Sequence, residues 1–421
     1  MAERRPQLAG SPGSKPVFTL GPEKGCTAVA ALLKNDANSR EYFVKPIPAE
    51  TVEQVPRGVG ERALACFLAA GFERIEPAIL HPSSMFLDMS GEEIRGRLFL
   101  TSGAAGEELC LRPEYTIPVC RAYLASAKAG TIAEYSYLGP VFRAGANQRE
   151  ERIQTGLESF GRGDAEAADA EVFALSIEAA AAAGGPLAAR LGDARLFDSL
   201  LHCLDLPKVW RRRLRRGVAR GRTLAEILDG RGQNALAQPG VLAAIESADH
   251  AGAKALVQDL LAIAGIEAIG GRSADEIADR FLEQASVRSG EPVEAEKRQA
   301  LEAFLTVSGD PDQAALQLRR LADGAKLDLW RAIDAFERRN GFIAAGGVAI
   351  KEIRFSAAFV RDFEYYSGFV FEAREAGRLD SKPALSGGRY DGLARRLGAT
   401  EDIPAVGAAI AVERLGGGGA R

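Results

Sequence analysis

Strand-like segments occur in two blocks of this sequence, and a long stretch with almost only helical periodicity separates them. In the first block, residues 97–161, short extended runs alternate with turn-prone glycines and polar clusters, a pattern typical of antiparallel sheets. The second block begins near residue 345. Because the strand pattern stops and returns around the helices, the sequence predicts one α+β domain whose sheet is interrupted by a second module.

These changes of pattern also predict the domain boundaries. Residues 1–45 carry Gly, Pro, Ser and Lys without a period, which is typical of a flexible segment with no core of its own. The helical stretch would form a separate core. The four predicted segments are a flexible leader (1–45), the first half of the sheet domain (46–187), a mostly helical insertion (188–344) and the second half of the sheet domain (345–421).

Composition excludes several classes of protein. With 421 residues, 47% hydrophobic and 26% charged, the chain is typical of soluble globular proteins. No apolar run approaches the ~20 residues of a membrane-spanning helix, so we expect a cytoplasmic protein with no membrane partner. The five cysteines form no C-x-x-C pair and the three histidines stand apart from other ligands, so no metal site or disulfide framework is predicted. No glycine-rich phosphate loop is present, and we expect no cofactor.

One basic stretch contrasts with the net charge of −4. Lys208 and seven arginines crowd into LPKVWRRRLRRGVARGR, the last of them Arg222. One interpretation is a solvated helix face with Trp210 and Leu214 turned inward. The other is a surface that binds phosphate groups or a partner, although the net negative charge does not favour binding of a polyanion by the whole molecule.

Polar side chains embedded in the strand-like runs predict a lined pocket, because interior sheet positions rarely hold an unpaired charge. A carboxylate in such a place suits an ammonium group, whereas an arginine suits a carboxylate or a phosphate. The pocket candidates are Glu114, Thr116, Arg143, Gln154, Glu158, Arg361, Tyr365, Tyr366, Tyr390 and Arg414. For Arg361, Tyr365 and Tyr366 the alternative is a half-buried strand, and for Tyr390 it is an ordinary glycine-rich turn. For each of the others taken singly, the alternative is a structural ion pair.

The motifs that carry these residues follow one another along the chain in an order that resembles that of histidyl-tRNA synthetase. FERIEPAILHPSSMF resembles motif 1 of the class II synthetases, LCLRPEYT with YLGPVFR and IQTGLESFG resembles motif 2 and its surroundings, and PAVGAAIAVERL resembles motif 3. VRDFEYYSGFVFE and SGGRYDGLARRLG resemble the two histidine-specific signatures. The resemblance covers residues 52–185 and 345–415. It implies a class II synthetase-like antiparallel sheet flanked by helices, interrupted by an all-helical insertion, and a homodimer formed through motif 1.

The same resemblance implies roles for the pocket candidates. Arg143 and Arg414 match the arginines that hold ATP phosphates, and Arg361 matches the arginine that assists adenylate formation. In this chain we expect these three to be the remnant of a nucleotide site, with no catalytic residue. The residues expected to surround histidine, with Glu114 accepting from its α-ammonium group, are Glu114, Thr116, Gln154, Glu158, Tyr365, Tyr366 and Tyr390.

Three departures from the synthetase pattern oppose catalysis. The loop after Arg143, AGANQREER, is shorter than its counterpart and lacks the run of arginine and aromatic residues that contacts ATP and tRNA. Asp362 and Glu364 add negative charge beside Arg361, where a triphosphate would lie. No anticodon-binding domain is expected after motif 3, because a folded domain needs at least ~50 residues.

A synthetase-like core with these departures resembles the regulatory subunits of ATP phosphoribosyltransferase. That resemblance implies a subunit without activity of its own, assembled with the short-form catalytic subunit that condenses ATP with phosphoribosyl pyrophosphate in the first step of L-histidine biosynthesis. Free L-histidine would bind as a feedback effector, and no tRNA is expected to bind. The alternatives are a minimal histidyl-tRNA synthetase that lacks the anticodon domain, and a module that binds RNA or a kinase.

Overall fold

The structure is a computed structural model. The predicted leader and two of the residues that oppose catalysis, Asp362 and Glu364, lie outside the residues that it describes. These described residues are 57–87, 89, 94, 96–145, 150–229, 255, 259, 268–269, 272–273, 293–361, 365–376 and 382–415.

The helices differ widely in length, and among the described residues none is both long enough and apolar enough to cross a bilayer. Short 3-10 turns lie at Ile350–Glu352 and Val412–Arg414. The helices of the described part are α1 (Arg57–Ala69), α2 (Ser84–Leu87), α3 (Thr116–Leu124), α4 (Ala165–Gly184), α5 (Ala194–Cys203), α6 (Lys208–Ala219), α7 (Leu224–Asp229), α8 (Ala295–Thr306), α9 (Pro311–Ala325), α10 (Trp330–Ala345) and α11 (Leu393–Arg396).

The strands range from two to ten residues. Those of the described part are β1 (Glu73–Arg74), β2 (Leu80–Pro82), β3 (Leu100–Ser102), β4 (Glu108–Leu111), β5 (Ala133–Phe142), β6 (Glu151–Phe160), β7 (Leu187–Asp193), β8 (Ala268–Ile269), β9 (Arg272–Ser273), β10 (Ser308–Gly309), β11 (Arg354–Ser356), β12 (Phe369–Glu375), β13 (Leu385–Arg389) and β14 (Ala405–Ala411).

The main sheet runs in the order β1-β5-β6-β14-β13-β12-β7-β11-β10. Its neighbouring strands are antiparallel except where β1 lies parallel to β5 and β11 lies parallel to β7. Strand β6 pairs with β14, which places Glu158 opposite Gly407, and β12 pairs with β7. Strands from the two predicted blocks therefore belong to one sheet and meet where β6 pairs with β14. This confirms the predicted α+β fold, a class II synthetase-like antiparallel sheet flanked by helices.

The expectation of an all-helical insertion is wrong in three respects. Strand β7 crosses the predicted boundary at residue 188 and lies inside the main sheet. Strand β10, at the edge of the main sheet, and a small antiparallel pair, β8 and β9, also lie within the middle segment. The sequence does not indicate these strands for a physical reason: LAARLGD does not alternate between buried and exposed positions, and two-residue strands are too short to show a period. The remaining domain boundaries stay predictions.

The helices of the middle segment share a hydrophobic core with the sheet. Phe336 of α10 packs on Phe355 of β11, with the ring centres 4.7 Å apart. These aromatic residues belong to one continuous buried cluster. Fully burying each such side chain contributes on the order of 1.5–3 kcal/mol. The separate core expected for this segment is therefore not what the described helices form.

A second buried cluster lies on the opposite face of the sheet. Along β12, Phe369 and Phe371 belong to the first cluster, whereas Val370 belongs to the second, because successive strand residues point to opposite faces. The second cluster contains the aromatic residues Tyr365, Tyr366 and Tyr390. Three of the predicted histidine-binding residues are thereby held in a packed environment rather than on a mobile surface.

Candidate functional site

A cavity with a volume of about 550 Å³ lies over strands β6, β14, β13, β12 and β7. That volume is within the range of small-molecule sites, roughly 300–1,000 Å³. Within the described ranges, no group of three or more His, Cys, Asp or Glu side chains is arranged to hold a metal ion. The predicted pocket residues that line the cavity are Glu114, Thr116, Arg143, Gln154, Arg361, Tyr365, Tyr366 and Arg414.

Glu114 is placed by the start of helix α3. Its two carboxylate oxygens accept hydrogen bonds from the backbone N–H groups of Thr116, at 2.7 Å, and Ile117, at 3.0 Å. The side chain is buried, and burial raises the pKa of Glu114, while the two backbone donors and the nearby Arg143 oppose that rise. A carboxylate fixed at a helix N-terminus and facing a cavity is suited to accept a ligand ammonium group.

Glu158 and Tyr390 do not line the cavity but lie behind Thr116. The hydroxyl group of Thr116 donates to Glu158 Oε1 at 2.8 Å, and the hydroxyl groups of Tyr390 and Tyr137 donate to the same carboxylate. Gly407 leaves room for it, because a Cβ there would lie 1.6 Å from Glu158 Oε2. These contacts support the wall of the pocket. The predicted direct contact of Glu158 and Tyr390 with histidine stays a prediction.

Burial dominates the ionisation of Glu158. The side chain is fully buried, and desolvation raises its pKa to about 8 although Tyr390 and Thr116 donate hydrogen bonds to it. The charge on Glu114 acts in the same direction as burial. Near neutral pH this carboxyl group is therefore largely protonated, whereas in an unfolded chain it is ionised.

The raised pKa of Glu158 predicts a loss of stability as the pH rises. The folded protein binds the proton more tightly than the unfolded chain, so this contribution to stability is complete at acidic pH and declines towards about pH 8. We expect the free energy of unfolding to fall by about 1 kcal/mol between about pH 6 and pH 7 through this group. Urea unfolding of the wild type and of Glu158→Gln measures the difference. An equal slope in both proteins would contradict the assignment, and Glu178→Gln, an exposed change on α4, is the matched control.

Tyr365 and Tyr366 form one aromatic side of the pocket, and Tyr390 packs behind them. The rings of Tyr365 and Tyr366 lie 4.9 Å apart, and Tyr390 meets Tyr365 edge to face at 6.0 Å. Burial raises the pKa of Tyr365 well above its ordinary value, so its hydroxyl group is neutral. Beside this group, the buried amide oxygen of Gln154 has no hydrogen-bond partner among the described residues. A ligand that supplies a donor to this oxygen would remove the cost of leaving it unsatisfied.

Arginines dominate the rest of the cavity wall. Arg143 donates from Nε to the carbonyl oxygen of Pro113 at 2.6 Å, and Arg414 donates to that of Pro383 at 2.7 Å. Burial lowers the pKa of both guanidinium groups. Six lining arginines face two lining glutamates, so the field favours a ligand with an anionic group. The eight residues are Arg97, Arg143, Arg152, Arg190, Arg361, Arg414, Glu114 and Glu372.

Sequence reasoning missed Arg190 and Glu372. Arg190 Nη2 lies 3.0 Å from Glu372 Oε1, and its guanidinium group lies 4.0 Å from the centre of the Phe359 ring. Arg361 pairs with the other oxygen of Glu372 at 3.8 Å. Arg361 therefore forms an ion pair within the cavity wall, which the sequence did not indicate. Recognition of LAARLGD as a strand paired with FVFEARE would have placed Arg190 beside Glu372.

Comparison with known proteins first defines the class. A family model described as histidyl-tRNA synthetase matches residues 43–415. A solved structure of an ATP phosphoribosyltransferase regulatory subunit/histidyl-tRNA synthetase from Bacillus halodurans superposes with a TM-score of 0.61 at 20% identity, over 89% of this chain and 83% of that chain. Histidyl-tRNA synthetase from Nostoc sp. PCC 7120 gives a TM-score of 0.57 at 16% identity, over 87% and 73% of the two chains. The fold is that of the histidyl-tRNA synthetases.

Relatives with a higher sequence identity identify a narrower family within this class. The ATP phosphoribosyltransferase regulatory subunit of Brucella anthropi is 38% identical over 350 residues, which cover 82% of this chain and 92% of that protein. The regulatory subunit of Mesorhizobium japonicum is 38% identical over 354 residues, 83% and 94% of the two chains. The chain belongs to the family of ATP phosphoribosyltransferase regulatory subunits.

Proposed function

We propose that this chain is a non-catalytic regulatory subunit that binds free L-histidine in the cavity and is required for the activity of a short-form catalytic subunit of ATP phosphoribosyltransferase. Binding of histidine would inhibit the partner and so give feedback control of the first step of L-histidine biosynthesis. The observation that carries the proposal is the fixed carboxylate of Glu114, which faces a cavity that also contains the unsatisfied amide oxygen of Gln154.

Each part of a histidine molecule has a suitable partner in this cavity. Glu114 and Gln154 present acceptors to the α-ammonium group, and the lining arginines suit the α-carboxylate. The neutral hydroxyl groups of Tyr365 and Thr116 suit the imidazole ring, whose two nitrogens need one donor and one acceptor. A site that satisfies all of these groups would discriminate against amino acids with apolar side chains.

Regulation without catalysis requires only differential binding. If histidine binds the inhibited arrangement of the assembly more tightly than the active one, it shifts the equilibrium towards inhibition. Typical couplings of about 1–3 kcal/mol correspond to about 5- to 150-fold changes in affinity. The shortened loop after Arg143 and the membership in the regulatory-subunit family support this role over that of a minimal synthetase.

The homodimer is part of the same proposal, and exposed apolar side chains in the motif 1 region support it. Ile79 and Leu80 are 41% and 49% exposed, and Leu100, on the far strand of the small sheet β2-β4-β3, is 56% exposed. Clustered exposed apolar residues are typical of protein interfaces. We place the protein in the cytoplasm with its partner and expect it to bind no tRNA.

Reconstitution with the catalytic subunit tests the function. We expect the purified chain alone neither to exchange pyrophosphate with ATP in the presence of histidine nor to acylate tRNA. Addition of the chain to a short-form catalytic subunit should raise phosphoribosyl transfer, and histidine should then suppress it. Mass measurement of the co-purified complex reports the proposed homodimer. Clear ATP–pyrophosphate exchange by the chain would instead establish the minimal synthetase, and steeply salt-dependent RNA binding would favour the binding module.

A further inference from the structure

Helix α6, which carries the arginine-rich run, forms part of the cavity wall. Its buried side consists of Trp210, Leu214, Gly217 and Val218, so the prediction that Trp210 and Leu214 turn inward is confirmed. At its C-terminal end, Val218 and Ala219 line the cavity. The basic helix therefore adjoins the proposed ligand site as well as solvent.

Arg215 connects this helix to a pocket tyrosine. One guanidinium nitrogen, Nη2, donates to the backbone carbonyl oxygen of Tyr366 at 2.6 Å. The other, Nη1, lies 3.0 Å from Asp198 Oδ2 on helix α5. The planar fork of an arginine can hold two acceptors at once in a fixed geometry, whereas a lysine has a single nitrogen on a flexible stem. Arg215 thus ties α5, α6 and the Tyr366 backbone together.

The segment that receives this bond carries two of the pocket tyrosines and is neither helix nor strand. The adjacent backbone is fixed by two other bonds: Ser367 N–H donates to the carbonyl oxygen of Arg389 at 2.8 Å, and Ala194 N–H donates to that of Gly368 at 2.9 Å. Both of these bonds come from the sheet domain or the start of α5. The bond from Arg215 comes from the basic helix, and it acts at Tyr366 itself, which lines the cavity.

We propose that Arg215 is a positioning residue for the amino-acid pocket and the link by which occupancy of the pocket reaches the arginine-rich helix α6. This inference rests on the proposed function. A ligand that packs on Tyr366 favours one position of its backbone carbonyl group, and the Arg215 bond favours one position of α6 relative to that group. Coupling between two sites is reciprocal. A ligand that stabilises the bond between Arg215 and Tyr366 therefore favours one position of α6, and a partner that holds α6 in that position favours binding of the ligand. The exposed face of α6 then reports the state of the pocket to a partner surface.

The test compares two charge-conserving substitutions on the same helix. Arg215→Lys keeps the positive charge beside Asp198 but loses the forked contact, whereas Arg212→Lys changes an exposed position one turn away. Histidine is titrated calorimetrically into each full-length chain, and inhibition of the reconstituted catalytic subunit is then measured up to saturating histidine. We expect Arg215→Lys to raise the Kd for histidine about tenfold or more and to lower the maximal inhibition, since bonds to charged groups contribute at this level. Arg212→Lys should change neither quantity.

At saturating histidine the pocket is occupied in every folded variant. A lower maximal inhibition therefore reports weaker coupling between the pocket and the catalytic subunit, and not weaker binding of histidine. A wild-type Kd together with wild-type inhibition in Arg215→Lys would overturn the inference while leaving the proposed function intact. Failure of the wild-type chain to bind histidine would overturn the proposed function instead. Asp198→Asn is a second variant that keeps Arg215 and loosens its orientation. Asp198→Asn should raise the Kd for histidine and lower the maximal inhibition by smaller factors than Arg215→Lys. If Arg215→Lys does not fold, an unchanged Kd and unchanged inhibition in Asp198→Asn would refute the proposed role of Arg215.

Discussion

Replacement of Glu114 by glutamine is expected to weaken histidine binding by about 2–5 kcal/mol, which is at least ~30-fold in Kd. The carboxylate is buried at the N-terminus of α3, and a charged acceptor that loses its charge leaves the ligand ammonium group in the cavity without its counter-ion. Glutamine keeps the shape of the side chain. Calorimetric titration with histidine measures the change.

Glu114 also stabilises the start of helix α3, so its substitution is expected to affect stability as well as histidine binding. Both carboxylate oxygens accept from the first backbone N–H groups of α3, and a glutamine amide nitrogen would face one of these donors. We therefore expect Glu114→Gln also to lower the free energy of unfolding by about 1 kcal/mol, the typical effect of losing a helix cap. Glu178→Gln, at an exposed position of α4, should leave both quantities unchanged. Wild-type histidine affinity in a folded Glu114→Gln protein would locate the sensor elsewhere.

Replacement of Arg339 by leucine is expected to lower the free energy of unfolding by about 3–5 kcal/mol. Arg339 of α10 is 2% exposed and bonds to Asp193, and it lies 3.5 Å from Asp169 of α4. Both carboxylates stay buried when the arginine is removed, and an unpaired buried charge is costly. Asp169 keeps its ion pair with Arg389 at 2.7 Å, so Asp193 suffers the larger loss.

Arg338→Leu is the matched control for this prediction. Arg338 is adjacent in the same helix, but its side chain is 57% exposed and forms an ion pair with Glu166 at 3.3 Å. Such surface pairs contribute about 0–1 kcal/mol. Urea unfolding of both variants measures the difference. Equal stabilities would mean that the buried ionic cluster of α4, β7 and α10 contributes no more than a surface pair.

Arg389 shows how this cluster reaches the pocket. It pairs with Asp169 and Asp391 and precedes Tyr390, whose hydroxyl group donates to Glu158. In the sequence, Arg389 stands out only as part of the motif SGGRYDGLARRLG, because its ion pair with Asp169 joins residues more than two hundred positions apart. Long-range pairs of this kind leave no periodic signal in a sequence.

Strand β7 and helix α6 illustrate the same limit. The composition of LAARLGD did not distinguish a strand from the helical residues around it, so Arg190 was not recognised as a pocket residue. For the arginine run of α6, the inward position of Trp210 is confirmed, whereas binding of phosphate or a partner stays a prediction. The spacing of the run could not show that Arg215 reaches the carbonyl oxygen of Tyr366. Register and packing between distant segments decide both contacts.

The sequence by itself determined the fold class, the family and the residue types of the pocket, because short motifs in a fixed order fix local chemistry and chain direction. Only the tertiary structure decided which of those residues face the cavity. It placed Glu114 and Gln154 at the surface of the pocket and Glu158 and Tyr390 behind it. It also brought Arg190 and Glu372 to the pocket wall and Arg215 to the backbone carbonyl group of Tyr366. The physical reason is that burial and pairing of a polar side chain depend on strand register and on helices packed from elsewhere in the chain, neither of which a local pattern encodes.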